Sequence, residues 1–300
     1  MPEERQIGRR VCIEKLEKRL TLPVNQWLIG QRRIGKTSVA KAALARLRKR
    51  GSVAIDTDLS KLEISSSQAL AGEIARQAQA ARAGDAAVKA RSLFDFAKKH
   101  RGRARGLGET LEQLGFEDAG DALMTASAVL AEGDDGSPGL DNVLGALALH
   151  ARATEQRAYV LLDEVHLLAH VERAEETMAK WCREPENPIV FIFAGSEESA
   201  AQALRERGQP MASIGEEFEL SEIAAEDWIP GLRERFEDVG VRIETTQLKT
   251  ILQASRCHPR RTMLIASRVR AAAATEPDGA AGPALVELAI LDAERDRSWR

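Results

Sequence analysis

Short apolar runs alternate along the chain with longer stretches in which apolar residues recur every three or four positions. The first pattern predicts strands and the second predicts helices. Residues 8–20 set Val11, Ile13, Leu16 and Leu20 at near-helical spacing, ahead of a short apolar strand at Trp27-Leu28-Ile29. A helix is expected from Thr37 to about Arg50, with Val39, Ala43, Leu44 and Leu47 on one face. Gly51 stops it, and residues 52–56 read as a second strand. Amphipathic faces return at Leu70, Ile74 and Ala78, and again at Leu140, Val143, Leu144 and Leu147. A clean strand at 158–162 ends on Asp163-Glu164, and a helix is expected over 172–181. The continuous apolar run 188–194 is the kind buried on both faces of a parallel sheet. A short helix at 197–207 and a last strand near 217–220 follow.

Strands separated by helices predict an α/β fold with a parallel, three-layer sheet. Beyond Ala224 only helices are expected, at 227–236, 246–255, 259–273 and 284–295. The predicted organisation is therefore an α/β domain over 1–223, with a helical insertion over about 66–150, and a small all-helical lid domain over 224–300. No internal repeat interrupts it.

Between the first strand and its helix stands Gly30-Gln31-Arg32-Arg33-Ile34-Gly35-Lys36-Thr37-Ser38. This is the phosphate-binding pattern G-x-x-x-x-G-K-[ST], in the strand-then-helix context that the pattern requires. Gly30 and Gly35 permit backbone angles closed to other residues, so successive N–H groups can turn inward on a phosphate chain. Lys36 brings a flexible cation to the β- and γ-phosphates. Thr37 offers a hydroxyl to Mg²⁺, and the helix it opens directs its positive end at the same anion.

Binding phosphate is half of the chemistry; hydrolysis needs a carboxylate at the end of a neighbouring strand. Asp163 is placed to hold Mg²⁺ and Glu164 to polarise an attacking water. The apolar strand ending at Ala194 runs into Gly195-Ser196. Beside the phosphate-loop strand, Ser196 can reach a γ-phosphate or the water, and it is equally suited to a turn or helix cap. Cys257-His258-Pro259-Arg260-Arg261 opens the third rear helix with proline at its first position. Two cations in a first turn oppose the helix dipole, and a bound anion would compensate. Two solvated arginines are the equal alternative. His166 and His170 lack a third ligand and read as ordinary residues at the start of a helix.

Charge and cysteines narrow the classes. The 43 basic residues nearly balance 46 acidic ones, so nucleic acid could be held only through a local patch. The run Lys98–Arg105 is one such patch, although a solvated linker explains it better. Three scattered cysteines predict neither a disulfide framework nor zinc. No apolar run approaches a membrane span, and the acidic start lacks a signal-peptide core. A soluble cytoplasmic protein is expected.

Taken together, these motifs resemble the AAA+ P-loop ATPases, and most nearly the prokaryotic "archaeal ATPase" group akin to the origin-recognition initiators. The carrying stretches are Gly8-Arg9-Arg10, 30–38, 55–60, 161–166, 193–199 and 257–264. The likeness covers most of the chain, least of all residues 66–150. It implies Lys36 and Thr37 as Walker A, Asp163 and Glu164 as Walker B, Ser196 as sensor 1 and Arg260 or Arg261 as sensor 2. Gly8 and Arg9 fall where such proteins line the adenine pocket, and Gln31, Arg32, Arg33, Ile34 and Ser38 complete the loop. A trans-acting arginine finger has no certain match, though Arg205 and Arg207 lie in the corresponding stretch, and a winged-helix DNA-binding domain has no room after the rear helices. The implied activity is a Mg²⁺-dependent ATPase that switches a partner protein or DNA, self-assembly being compatible with it. The alternative is a nucleotide-gated scaffold or signalling module with little turnover.

Overall fold

The computed structural model describes residues 7–62, 67–80, 139–171, 173–195, 202–206, 208–276 and 279–296. They fall into two compact units, one of Lys15–Ile29 with Ala40–Phe218, the other of Met1–Glu14, Gly30–Val39 and Glu219–Arg300.

The first unit is built on five strands: β1 (Gln26–Ile29), β2 (Ala54–Asp58), β3 (Ala158–Asp163), β4 (Ile189–Ala194) and β5 (Glu216–Glu219). They form one parallel sheet in the order β2-β3-β4-β1-β5. In register, Ala158 pairs with Ile189, Gln26 with Ile192, and Asp58 with Asp163. All twelve residues of β3 and β4 are buried. Their side chains alternate between the faces. Val160, Leu162, Phe191 and Phe193 join the core shared with α3 (Ser67–Ala80), α4 (Leu140–Ala153) and α5 (Ala174–Arg183). Tyr159, Leu161, Val190 and Ile192 turn to the other face. The expected three-layer α/β architecture is the one observed.

Two details depart from the sequence pattern. In α1 (Arg10–Leu20), Ile13, Leu16 and Leu20 are buried, but Val11 is 62% exposed. At 100° per residue, two positions before Ile13 is the opposite side of the helix. The strand expected over 52–56 runs instead over Ala54–Asp58, which carries its last aspartate level with the end of β3. Being an edge strand, β2 has a backbone to satisfy on its open side. Gln77 of α3 does so, its Oε1 accepting from Asp56 N at 2.8 Å and its Nε2 donating to Asp56 O at 2.6 Å.

In the second unit, α6 (Ala225–Glu237), α7 (Thr245–Ser255), α8 (Pro259–Ala273) and α9 (Pro283–Glu294) enclose one core of Trp228, Leu232, Phe236, Leu248, Ile251, Ile265, Val269 and Val286. Pro230 sits inside α6, where it can make no amide hydrogen bond, and Gly231 follows it. That bare stretch receives Ile7: a Cβ on Gly231 would lie 2.8 Å from the isoleucine side chain. Gly8, with φ +66°, continues the seam, and a Cβ there would meet Ile223.

Candidate nucleotide-binding site

The phosphate loop leaves β1 and runs into α2 (Lys36–Lys49). Three of its residues have positive φ: Gly30 at 138°, Arg33 at 63° and Gly35 at 105°. The two glycines serve different ends. A Cβ on Gly30 would come within 2.6 Å of the Leu220 carbonyl oxygen, so glycine is needed there for space as well as angle. Around Gly35 nothing lies within 4 Å, so only the angle demands glycine, and its N–H has no partner among the described residues. Ile34 anchors the bend with a side chain 1% exposed. The buried Lys36 donates from Nζ to Gly30 O at 2.6 Å and Gln31 O at 3.0 Å.

Arg9 lies against this loop. Its Nη2 donates to Ile34 O and its Nη1 to Ser221 O, both at 2.7 Å. The side chain is buried, and burial holds the guanidinium below the ordinary arginine value, with Cys12 pulling weakly the other way.

The start of α8 reaches the same loop. Arg256 and Cys257 are both left-handed, at φ 53° and 54°, which costs each about 1–2 kcal/mol. Trp228 Nε1 steadies this turn by donating to Cys257 O at 3.1 Å. The turn sends His258 to the loop, where its Nε2 lies 3.1 Å from Arg32 O. Arg260 is exposed and Arg261 half-buried. Arg33 is held below the ordinary arginine value by burial first, then by the charges of Arg260 and Arg32. Arg260, far beyond the loop in sequence, is thus within electrostatic reach of Arg33.

The acidic residues stand at the sheet's carboxyl edge. Asp163, 6% exposed, ends β3, and its Oδ1 accepts the Glu164 N–H at 3.1 Å. Glu164 is left-handed, at φ 55° and ψ 44°. His166 Nδ1 lies 3.5 Å from Glu164 Oε2, so the short helix Val165–His170 places a histidine beside the candidate base. Opposite Asp163 in register is Asp58, whose Oδ1 accepts from Ser60 N and Oγ and whose Oδ2 pairs with Lys61 at 2.8 Å. Burial pushes Asp58 up, but Lys61 and Ser60 outweigh it and hold its carboxyl below the usual range. Its hydrogen bond with Asp58 first, and then nearby Asp56 and Asp163, raise Lys61 in turn. Residues 55–60 signal this patch only once the strand register is known.

Not every expected residue takes part. Ser196, Arg207 and the basic run Lys98–Arg105 lie outside the described residues. Arg205 turns inward within its own unit, 2.7 Å from Glu217 and 5.1 Å over the Trp27 ring. Among the described residues no three His, Cys, Asp or Glu side chains gather as a metal cluster, and no helix is long and apolar enough to cross a membrane. None of the three cysteines forms a disulfide among the described residues.

A parallel five-stranded sheet in the order β2-β3-β4-β1-β5, with the phosphate loop following β1 in the chain, is the α/β fold of a P-loop NTPase. No protein-family profile matches this sequence, and no curated protein matches it either. Solved structures do match. The ORC2 protein of Aeropyrum pernix, in ADPNP–ADP complexes, superposes with a TM-score of 0.60 at 19% identity, over 96% of this chain and 68% of that one. RuvB of Thermotoga maritima gives 0.54 at 13%, over 99% and 74%. Aeropyrum pernix ORC1 in complex with DNA gives 0.51 at 16%, over 97% and 67%. At these identities the likeness is one of fold.

Proposed function

We propose that this chain binds ATP with Mg²⁺ and hydrolyses it to ADP and phosphate, working in the cytoplasm as a switch on a partner protein or on DNA. One observation carries the reading. A glycine-bent loop with a buried lysine joins β1 to α2, and β3, with only β4 between it and β1, ends at the same sheet edge on a buried aspartate followed by a glutamate. The residues suit the ligand. Gly35 offers an N–H unpartnered among the described residues, Lys36 a buried cation, and Thr37 and Asp163 the hard oxygen donors that Mg²⁺ takes.

When bound, Mg²⁺-ATP supplies the phosphoanhydride whose terminal phosphoryl group water attacks. Lys36 and open N–H groups of the loop would hold the phosphate oxygens, and Thr37 and Asp163 would hold the metal. The Glu164 carboxylate accepts the proton of the attacking water. Ser196 orients that water or the γ-phosphate, Arg260 or Arg261 reports the γ-phosphate to the rear helices, and Gly8 and Arg9 flank the base. Residues 1–223 act as the nucleotide-binding domain and 224–300 as its lid. The ADPNP–ADP complexes of the ORC2 neighbour support the ligand, while the DNA complex of ORC1 and the branch-migration role of RuvB support DNA as partner.

A second reading, a nucleotide-gated scaffold with little turnover, is favoured by Arg205 being engaged within its own chain, by Glu217 and the Trp27 ring. Steady-state phosphate release, measured with and without DNA, separates the two. Mg²⁺-dependent release that Glu164→Gln abolishes supports the switch. Tight ATP binding with no release in either condition supports the scaffold.

A further inference from the structure

Arg9 is 93% inaccessible by its 7% exposure, an unusual place for a cation, yet no carboxylate pairs with it among the described residues. Its charge is met by two main-chain carbonyls, and its buried Nε has no hydrogen-bond partner among the described residues. Packing alone would not favour so costly an arrangement over an apolar side chain.

The choice of carbonyls is informative. Ile34 O belongs to the Ile34–Gly35 peptide, and in a planar trans peptide the C=O and N–H point in opposite directions. By holding Ile34 O at 2.7 Å, Arg9 turns the Gly35 N–H away from itself, and no acceptor meets that N–H among the described residues, which leaves a donor set for an anion. Ser221 O belongs to the segment between β5 and α6, the stem of the rear helices. The same stem abuts the other end of the loop, where only a glycine at position 30 clears Leu220 O. Gly8, beside Arg9, is seated on Ile223 and Asp227 of that stem and helix. The loop and the stem are therefore tied twice, once by contact at Gly30 and once through the Arg9 guanidinium.

We propose that Arg9 is a positioning residue that sets the Ile34–Gly35 peptide for phosphate and passes the loop's nucleotide state through Ser221 to the rear helices. This role rests on the nucleotide reading above and differs from contact with the base.

The test uses the full chain, with Arg9→Lys and Arg9→Gln, and three measurements: affinity for ATPγS, thermal melting, and protection of residues 225–296 from protease by ATPγS. Arg9→Lys keeps the cation but reaches one carbonyl. It is expected to melt near the parent, to bind ATPγS about tenfold more weakly, and to lose the nucleotide-dependent protection; Arg9→Gln is expected to lose more of both. A merely structural arginine would lower the melting temperature and leave the protection intact. That outcome, an Arg9→Lys chain that does not fold, or one with parental affinity and protection overturns the proposal. A parent that binds ATPγS but gains no protection overturns the coupling alone. A parent that does not bind it overturns the nucleotide reading as well.

Discussion

The ammonium of Lys36 donates to the carbonyl oxygens of Gly30 and Gln31, at 2.6 and 3.0 Å, the two residues that begin the loop it closes. The loop is thereby bent around its own cation. Phosphate oxygens, being charged, make stronger acceptors than neutral carbonyls. Lys36→Ala is therefore expected to weaken ATP binding by well over tenfold, or more than about 1.4 kcal/mol. Calorimetric titration checks this, and an affinity within about threefold of the parent would remove the phosphate-loop assignment.

The two loop glycines should not be equivalent. Gly35→Ala meets no neighbour and pays only for its φ of 105°, about 1–2 kcal/mol. Gly30→Ala adds a collision with the Leu220 backbone at 2.6 Å and should destabilise by more. Urea denaturation of both variants measures the difference; equal losses would mean that the Leu220 segment yields freely.

Glu164 and Asp163 are neighbours with separable expected roles. Glu164→Gln keeps the shape and removes the proton acceptor, so ATP should still bind while turnover falls by roughly 10²-fold or more. Asp163→Ala should instead weaken the Mg²⁺ dependence of binding. Single-turnover hydrolysis and binding measured across Mg²⁺ concentrations distinguish them. Undiminished turnover in Glu164→Gln would mean that another group activates the water.

Arg260 and Arg261 occupy the first turn of α8, where a cation is disfavoured and, for Arg260, another cation is already near. A γ-phosphate would relieve both effects and contribute on the order of 1–3 kcal/mol. Arg260→Ala and Arg261→Ala should each be tested for a narrower gap between ATP and ADP affinity, with folding unchanged. If both keep the full ATP preference, neither arginine reads the γ-phosphate and Ser196 is the next candidate.

The sequence by itself determined what depends on adjacent residues. The loop at 30–38 was legible because glycine, lysine and threonine act there through angles and groups only a few bonds apart. The strands ending at Asp163 and Ala194 showed as apolar runs because both of their faces are buried. Proline at the start of α8 marked that helix through the same local rule.

Tertiary structure alone decided what depends on pairing across the chain. No spacing shows that β4 lies between β1 and β3, that Asp58 stands level with Asp163, or that Gln77 covers the edge at Asp56. Val11 fits a helical pattern and still faces water, since a helix has no preferred side until something packs on it. Arg9 read, through the resemblance, as a residue lining an adenine pocket, yet it is buried between Ile34, 25 positions on, and Ser221, 212 positions on. Separations of that size leave no periodic trace in a sequence, because the partner is chosen by the fold and not by the neighbouring residues.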